Sequence, residues 1–257
     1  MPIMQEGRDK RMPFLFLSPS TQYFNPYVTT GDERYWMNAL ADEMMPYLHA
    51  SGITVTRNDP DGSAAQSIRD SNASRQDFHL ALHSNASGDG STEGRQRGII
   101  AFYYPTSANG RRAANIFVEN LKEIYPLPSL VTARATTALG EVRQPKPPSV
   151  LLEIGYHDNT ADAVWIQDNV QNIAENLSRS LAEYFALPFI YPMTPRTGTV
   201  VTERDALNVR AYPSMSGQVV GSVPHEAQLT VYGQTDGWYS MGYGNLAGYV
   251  RSEYVRL

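Results

Sequence analysis

In DFHLALHSNAS, residues 77–87, two histidines stand four apart in an apolar run. Strand alternation puts His79, Ala81 and His83 on one face and Phe78, Leu80 and Leu82 on the other. Four strand residues span roughly 13 Å, too far for both imidazoles to share one metal ion. His79, mid-strand and facing helices, reads as a hydrogen-bonded structural residue. His83 sits at the strand exit, where α/β folds keep their ligands. Glu153 interrupts the apolar run SVLLEIGYHDN, where an ionisable group is costly without a purpose. Glu33 opens a helix just after Gly31 and Asp32. Taken singly, Glu33 complements a helix dipole, and His83 is a hydrogen-bonded strand end. Brought to one end of a parallel sheet, the three make a site for a divalent metal plus a general base. Zinc needs about three N/O ligands and one position for water, whose pKa it lowers to about 7. A nearby carboxylate can then take that water's proton.

Such a site needs strands that deliver their ends together. PFLFL, ITVTRN, FHLALH, RGIIAFYY and SVLLEIGY read as strands. Between them lie helix patterns. DERYWMNALADEMMPYLHASG places Met37, Leu40, Ala41, Met44 and Leu48 on one face and stops at Gly52. A short helix follows in SAAQSIRDSNAS and another in GRRAANIFVENLKEIY. One long closing helix is expected to align Ile166, Val170, Ile173, Leu177, Leu181 and Phe185. Alternating strands and amphipathic helices predict an α/β fold, a mostly parallel sheet flanked by helices on both faces.

The texture changes after residue 187. PFIYPMTPRTGT is proline-rich and reads as a linker. LNVRAYPS, GQVVGSV, AQLTVYGQ, GWYSMGY and AGYVRSEYV are short strands of a small all-β barrel. The expected division is residues 1–190, a linker at 191–198, and 199–257. The tail, through Leu207 to Arg210, Gly237-Trp238-Tyr239 and Gly248-Tyr249-Val250, resembles the bacterial SH3 (SH3b) pattern. That resemblance implies binding to cell-wall peptide or packing on a neighbour; for any single aromatic the expected role is core.

Bulk properties narrow the classes. With 257 residues, 42% hydrophobic and 18% charged, the chain has a globular composition. A net charge of -5 without a Lys/Arg cluster argues against a nucleic-acid partner. The absence of cysteine excludes disulfides, thiolate metal sites and a cysteine nucleophile. No segment approaches the ~20 apolar residues that span a bilayer. MPIMQEGRDKRMPFLFLSPS makes a poor signal peptide.

From Pro13 to about Leu187 the chain resembles the zinc-dependent N-acetylmuramoyl-L-alanine amidases of the Amidase_3 group. DERYWMNALA matches that family's Glu-led first helix, LHSNAS its His-x-Asn-Ala strand end, and PPSVLLEIGYHDN its Pro-x-Val-Leu-x-Glu-x-Gly-Phe segment. The resemblance implies Glu33 and His83 as zinc ligands and Glu153 as the catalytic carboxylate. It implies peptidoglycan as substrate, cut between the lactyl group of N-acetylmuramic acid and L-alanine. The family's first ligand is the histidine of a Gly-His-Gly; here that place reads LSPSTQ, a pattern shared with a clostridial and phage-borne branch. Thr21 or Gln22 falls on the missing histidine. Gln22, through its amide oxygen or replaced by water, is the expected third ligand, with His157 close by. His157, Asn85 and Glu141 are expected to touch substrate or support the ligands. The expected place of action is the bacterial wall, reached by holin or lysis, as for an endolysin, with an autolysin as the other reading. The rival is a non-catalytic wall-binding protein on an amidase fold without its metal; a fainter one is a zinc peptidase cutting within the stem peptide.

Overall fold

A computed structural model describes residues 11–88 and 92–257. The chain forms two compact units, one of Phe14–Tyr47 with Val55–Ala186, the other of Leu187–Leu257, which takes in Leu48–Thr54.

In chain order the first unit has β1 (Phe14–Pro19), α1 (Glu33–Ala50), β2 (Thr54–Arg57), α2 (Ala64–Ala73), β3 (Phe78–Asn85) and β4 (Ile99–Tyr103). Then follow α3 (Ala108–Leu121), β5 (Val131–Ala135), α4 (Gly140–Arg143), β6 (Ser149–Tyr156), α5 (Thr160–Asp168) and α6 (Val170–Phe185). The sheet order is β2-β1-β3-β6-β4-β5. β1, β3 and β6 are mutually parallel, as are β4 and β5, and only the β4–β6 pairing is antiparallel among the pairings described. Hence the sheet is mixed, with its parallel centre where the candidate residues lie.

β3 separates two layers as its alternation predicts. Phe78 meets Tyr184 at 4.7 Å and Phe117 at 6.5 Å, so α3 and α6 cover that face. His79, on the opposite face, reaches Ser71 of α2 and Glu141 of α4. In α1 the expected stripe Met37, Leu40, Ala41, Met44 and Leu48 is wholly buried.

Three features differ from the sequence reading. The long closing helix is two helices: Asn169 leaves the helical region at φ -121° and ψ 17°, its side chain donates to the carbonyl of Trp165, and its carbonyl starts α6. Val170 therefore opens α6 and is only half-buried rather than extending the stripe of Ile166. The second difference is β5 and α4, both too short to show a periodic pattern. The third is β7 (Arg196–Val200), which begins inside the expected linker and pairs with two neighbours.

The second unit continues with β8 (Leu207–Arg210), β9 (Val219–Val223), β10 (Gln228–Thr235), β11 (Trp238–Tyr243), β12 (Leu246–Arg251) and β13 (Val255–Arg256). These form an antiparallel seven-stranded sheet, order β13-β7-β10-β11-β12-β8-β9. Val200, Leu207, Val209, Val231, Met241 and Val250 lie in its core. Trp238 and Tyr249 are buried, as expected of core aromatics. A side chain at Gly248 would meet the carbonyl oxygen of Arg210 at 2.8 Å, so glycine alone lets β12 approach β8.

Candidate active site

β3 and β6 run parallel with His83 beside Glu153, so both side chains leave the same face near the strand ends. Glu33 comes from the opposite direction, as the first residue of α1. Asp32 caps that helix by accepting from the Tyr35 N–H at 2.8 Å, and the Glu33 N–H donates to the Asn25 carbonyl at 2.9 Å.

These elements bring the three residues together. Oε1 of Glu33 lies 2.8 Å from Nδ1 of His83 and also accepts from the Ser84 N–H. Oε2 of Glu33 accepts from Asn25 Nδ2 at 2.7 Å. The other nitrogen of His83, Nε2, lies 3.3 Å from Oε2 of Glu141. An imidazole between two carboxylates has a raised proton affinity. Burial opposes the charge on His83, but Glu141 and Glu33 outweigh it and hold its pKa well above the ordinary value. Burial would raise Glu33, yet its hydrogen bond and charge interaction with His83 lower it. Glu141 resists burial likewise, through His79 and His83, and falls to about 2.

Glu153 differs. Among the described residues no donor reaches its buried Oε2. Burial is the chief cause lifting its pKa to about 7; His83 pulls it down and Glu33 pushes it up. Such a carboxyl can both take and give a proton near neutral pH.

A cavity of about 210 Å³ joins Glu153, Glu33, Gln22, Asn85 and His157. His157 follows β6 and stacks on Tyr27 at 5.4 Å. Its Nδ1 lies 2.9 Å from the Ser84 carbonyl, which can only accept, so Nδ1 carries the proton. Nε2 is the polar atom left for the cavity. Asn85 spends Oδ1 on the Ala86 N–H at 2.8 Å. Glu141 stands behind His83, away from this cavity, and binds His79 at 3.2 Å and the Ser18 hydroxyl at 2.6 Å. His79 has the hydrogen-bonded role expected, and also stacks on Phe16.

Among the described residues no three His, Cys, Asp or Glu side chains gather closely enough to hold a metal ion. Glu33 and His83 converge as two ligands should. Gln22 stands beside them, but its Nε2 faces His83 at 3.3 Å while Oε1 accepts from Asn25 at 3.1 Å. The donors therefore fit two of the three places zinc requires; the third needs the Gln22 amide to turn. Sequence reasoning overlooked Tyr27, Ser84, Ser18 and Asn25, which orient the site. Asn25 alone left a trace, following Gln22 by three positions in QYFN.

A family model described as N-acetylmuramoyl-L-alanine amidase matches residues 27–183, well over half the chain, and a bacterial SH3 domain model matches 205–256. No curated protein matches significantly. Among solved structures, N-acetylmuramoyl-L-alanine amidase AmiC2 of Nostoc punctiforme is similar at 15% identity and TM-score 0.60, over 70% of this chain and 99% of that one. The catalytic domain of CwlV, an amidase from Bacillus (Paenibacillus) polymyxa var. colistinus, has 16% identity and TM-score 0.58, over 69% and 100%. The catalytic domain of the CD27L endolysin targeting Clostridia difficile has 19% identity and TM-score 0.54, over 67% and 98%. At these identities the structural likeness speaks for the fold.

Proposed function

The chain belongs to the N-acetylmuramoyl-L-alanine amidase family and carries a bacterial SH3 domain, and from that premise we propose that it hydrolyses the amide between the lactyl group of N-acetylmuramic acid and L-alanine of the peptidoglycan stem peptide. The observation that carries this reading is Glu153, whose buried Oε2 has no hydrogen-bond partner among the described residues and whose pKa is about 7, beside His83 on the neighbouring strand and lining a polar cavity. Ionised, Glu153 removes a proton from an attacking water as its oxygen joins the carbonyl carbon. It then gives that proton to the amide nitrogen as the C–N bond breaks, leaving a lactyl carboxylate and a free L-alanine amine. His157 Nε2 accepts a hydrogen bond from the substrate, and Asn85 Nδ2, which has no partner among the described residues, donates one.

Glu33 and His83 would hold zinc, with the Gln22 oxygen or a water in the third place. The metal would supply Lewis-acid polarisation of the scissile carbonyl and acidify water. The SH3 unit would bind the wall. The place of action would be the bacterial wall, reached by holin-dependent release or lysis, as for an endolysin.

Muropeptide analysis of digested walls tests the reading. New free L-alanine amino termini, suppressed by a chelator, are expected; new reducing sugar ends instead would refute it. The incomplete ligand set favours one alternative, a non-catalytic wall-binding protein. Purified protein that neither contains nor takes up zinc, and releases no L-alanine termini, decides for that alternative.

A further inference from the structure

A second cavity, about 390 Å³, shares Gln22 with the first and reaches His83 and Glu141. Its rim carries Tyr23 and Phe24, 63% and 64% exposed, packed edge-on at 5.6 Å. Two large aromatic rings left so open beside a reactive centre ask for a ligand surface. Arg34 lies over the Tyr23 ring at 5.2 Å and is itself paired with Asp61, which fixes that ring from behind.

The wall below the rim is rich in hydroxyls, and its two ionisable members, His83 and Glu141, are bonded to each other. Ser63 accepts from the Gln66 N–H at the start of α2, which leaves its hydroxyl proton to give away. Ser67 accepts from Asn58 Nδ2 and is in the same position. Asn58 is buried at 6% exposure, and its Oδ1 finds no hydrogen-bond partner among the described residues. An acceptor short of a donor sits beside donors short of an acceptor. Among the described lining residues there is no Lys or Arg to neutralise a carboxylate. An anionic stem peptide would meet the carboxylate of Glu141 there and find His83 already bonded at both nitrogens to Glu33 and Glu141.

We propose that this second cavity is a saccharide subsite, holding an N-acetylated pyranose ring of the glycan strand. The inference rests on the amidase reading for its place in the reaction. One scissile bond joins a neutral sugar to an acidic peptide, and two cavities of different character meet at Gln22. The axial C–H bonds of a pyranose present partial positive charge to the negative faces of Tyr23 and Phe24. Its hydroxyl and acetamido groups match the Ser63, Ser67 and Asn58 wall.

The test is calorimetric titration of the full chain with chitotriose, a peptide-free oligomer of N-acetylglucosamine. Wild type is expected to bind, and Tyr23→Ala/Phe24→Ala to bind at least about tenfold more weakly at an unchanged melting temperature. Tyr23→Phe/Phe24→Tyr, which keeps both ring faces, should restore binding. No binding by wild type, or equal binding by the double-alanine variant, overturns the proposal, the latter because the sugar then sits elsewhere on the chain. If chitotriose binding depends on the rings while wall digests show no new L-alanine termini, the subsite stands and the amidase reading fails.

Discussion

Oε2 of Glu141 lies 3.3 Å from Nε2 of His83, while Oε1 of the same carboxylate lies 3.2 Å from Nε2 of His79. Two histidines too far apart for one metal thus share one carboxylate, and Ser18 completes its hydrogen bonds. Glu141 fixes the rotation of His83, because an imidazole bonded at both nitrogens cannot turn. Truncating Glu141 leaves His83 with a buried, unmatched nitrogen. Glu141→Ala is expected to cost about 3 kcal/mol of stability, and Glu141→Gln clearly less. Urea denaturation of the metal-free protein reads both.

Glu153 gives a pH dependence of defined sign. Its folded pKa of about 7 lies above its ordinary 4.5, so folding favours its protonated form. The associated stability is fully present below pH 4.5 and is lost as pH rises through 7. Glu153→Gln removes this dependence. Between pH 4.5 and 8 the variant should gain up to about 3 kcal/mol on wild type while losing the hydrolytic activity. Parallel denaturation curves across that range would show that burial leaves Glu153 ionised.

His157 can be dissected with isosteres. Glutamine places an acceptor where Nε2 stands; asparagine places a donor where Nδ1 stands. If Nε2 serves substrate, His157→Gln keeps kcat/KM within about tenfold while His157→Asn loses it at unchanged fold. The reverse order, with melting temperature following activity, would show that only the bond to Ser84 matters.

The third metal position is tested through affinity. Gln22→His should tighten zinc binding at least about tenfold, since imidazole is a stronger ligand than a neutral amide. Competition against a chromogenic chelator measures it without any assay of activity. Unchanged affinity in that variant, together with zinc loss in His157→Ala, would assign the third place to His157.

Much of the protein is legible along the chain because period and chemistry are local properties. The alternation in FHLALH gave the two faces of β3, and the α1 stripe from Met37 to Leu48 appeared as its spacing predicts. Glu153 stood out because a carboxylate in an apolar strand contradicts its own surroundings. The break at Asn169 stayed hidden, since apolar spacing continues across a capping residue that only backbone geometry reveals. β5, α4 and β7 are too short for a period, and pairing with distant strands or packing on β6 makes them. The site's finer design was out of reach for the same reason. That Glu141 bridges residues 79 and 83, that Gln22 turns its nitrogen to His83, and that Ser84 sets the tautomer of His157 are relations between chain segments far apart in sequence. Residue types determine which protons and ligands are on offer; only the parallel packing of β3 against β6, with α1 arriving from the opposite direction, decides which of them meet.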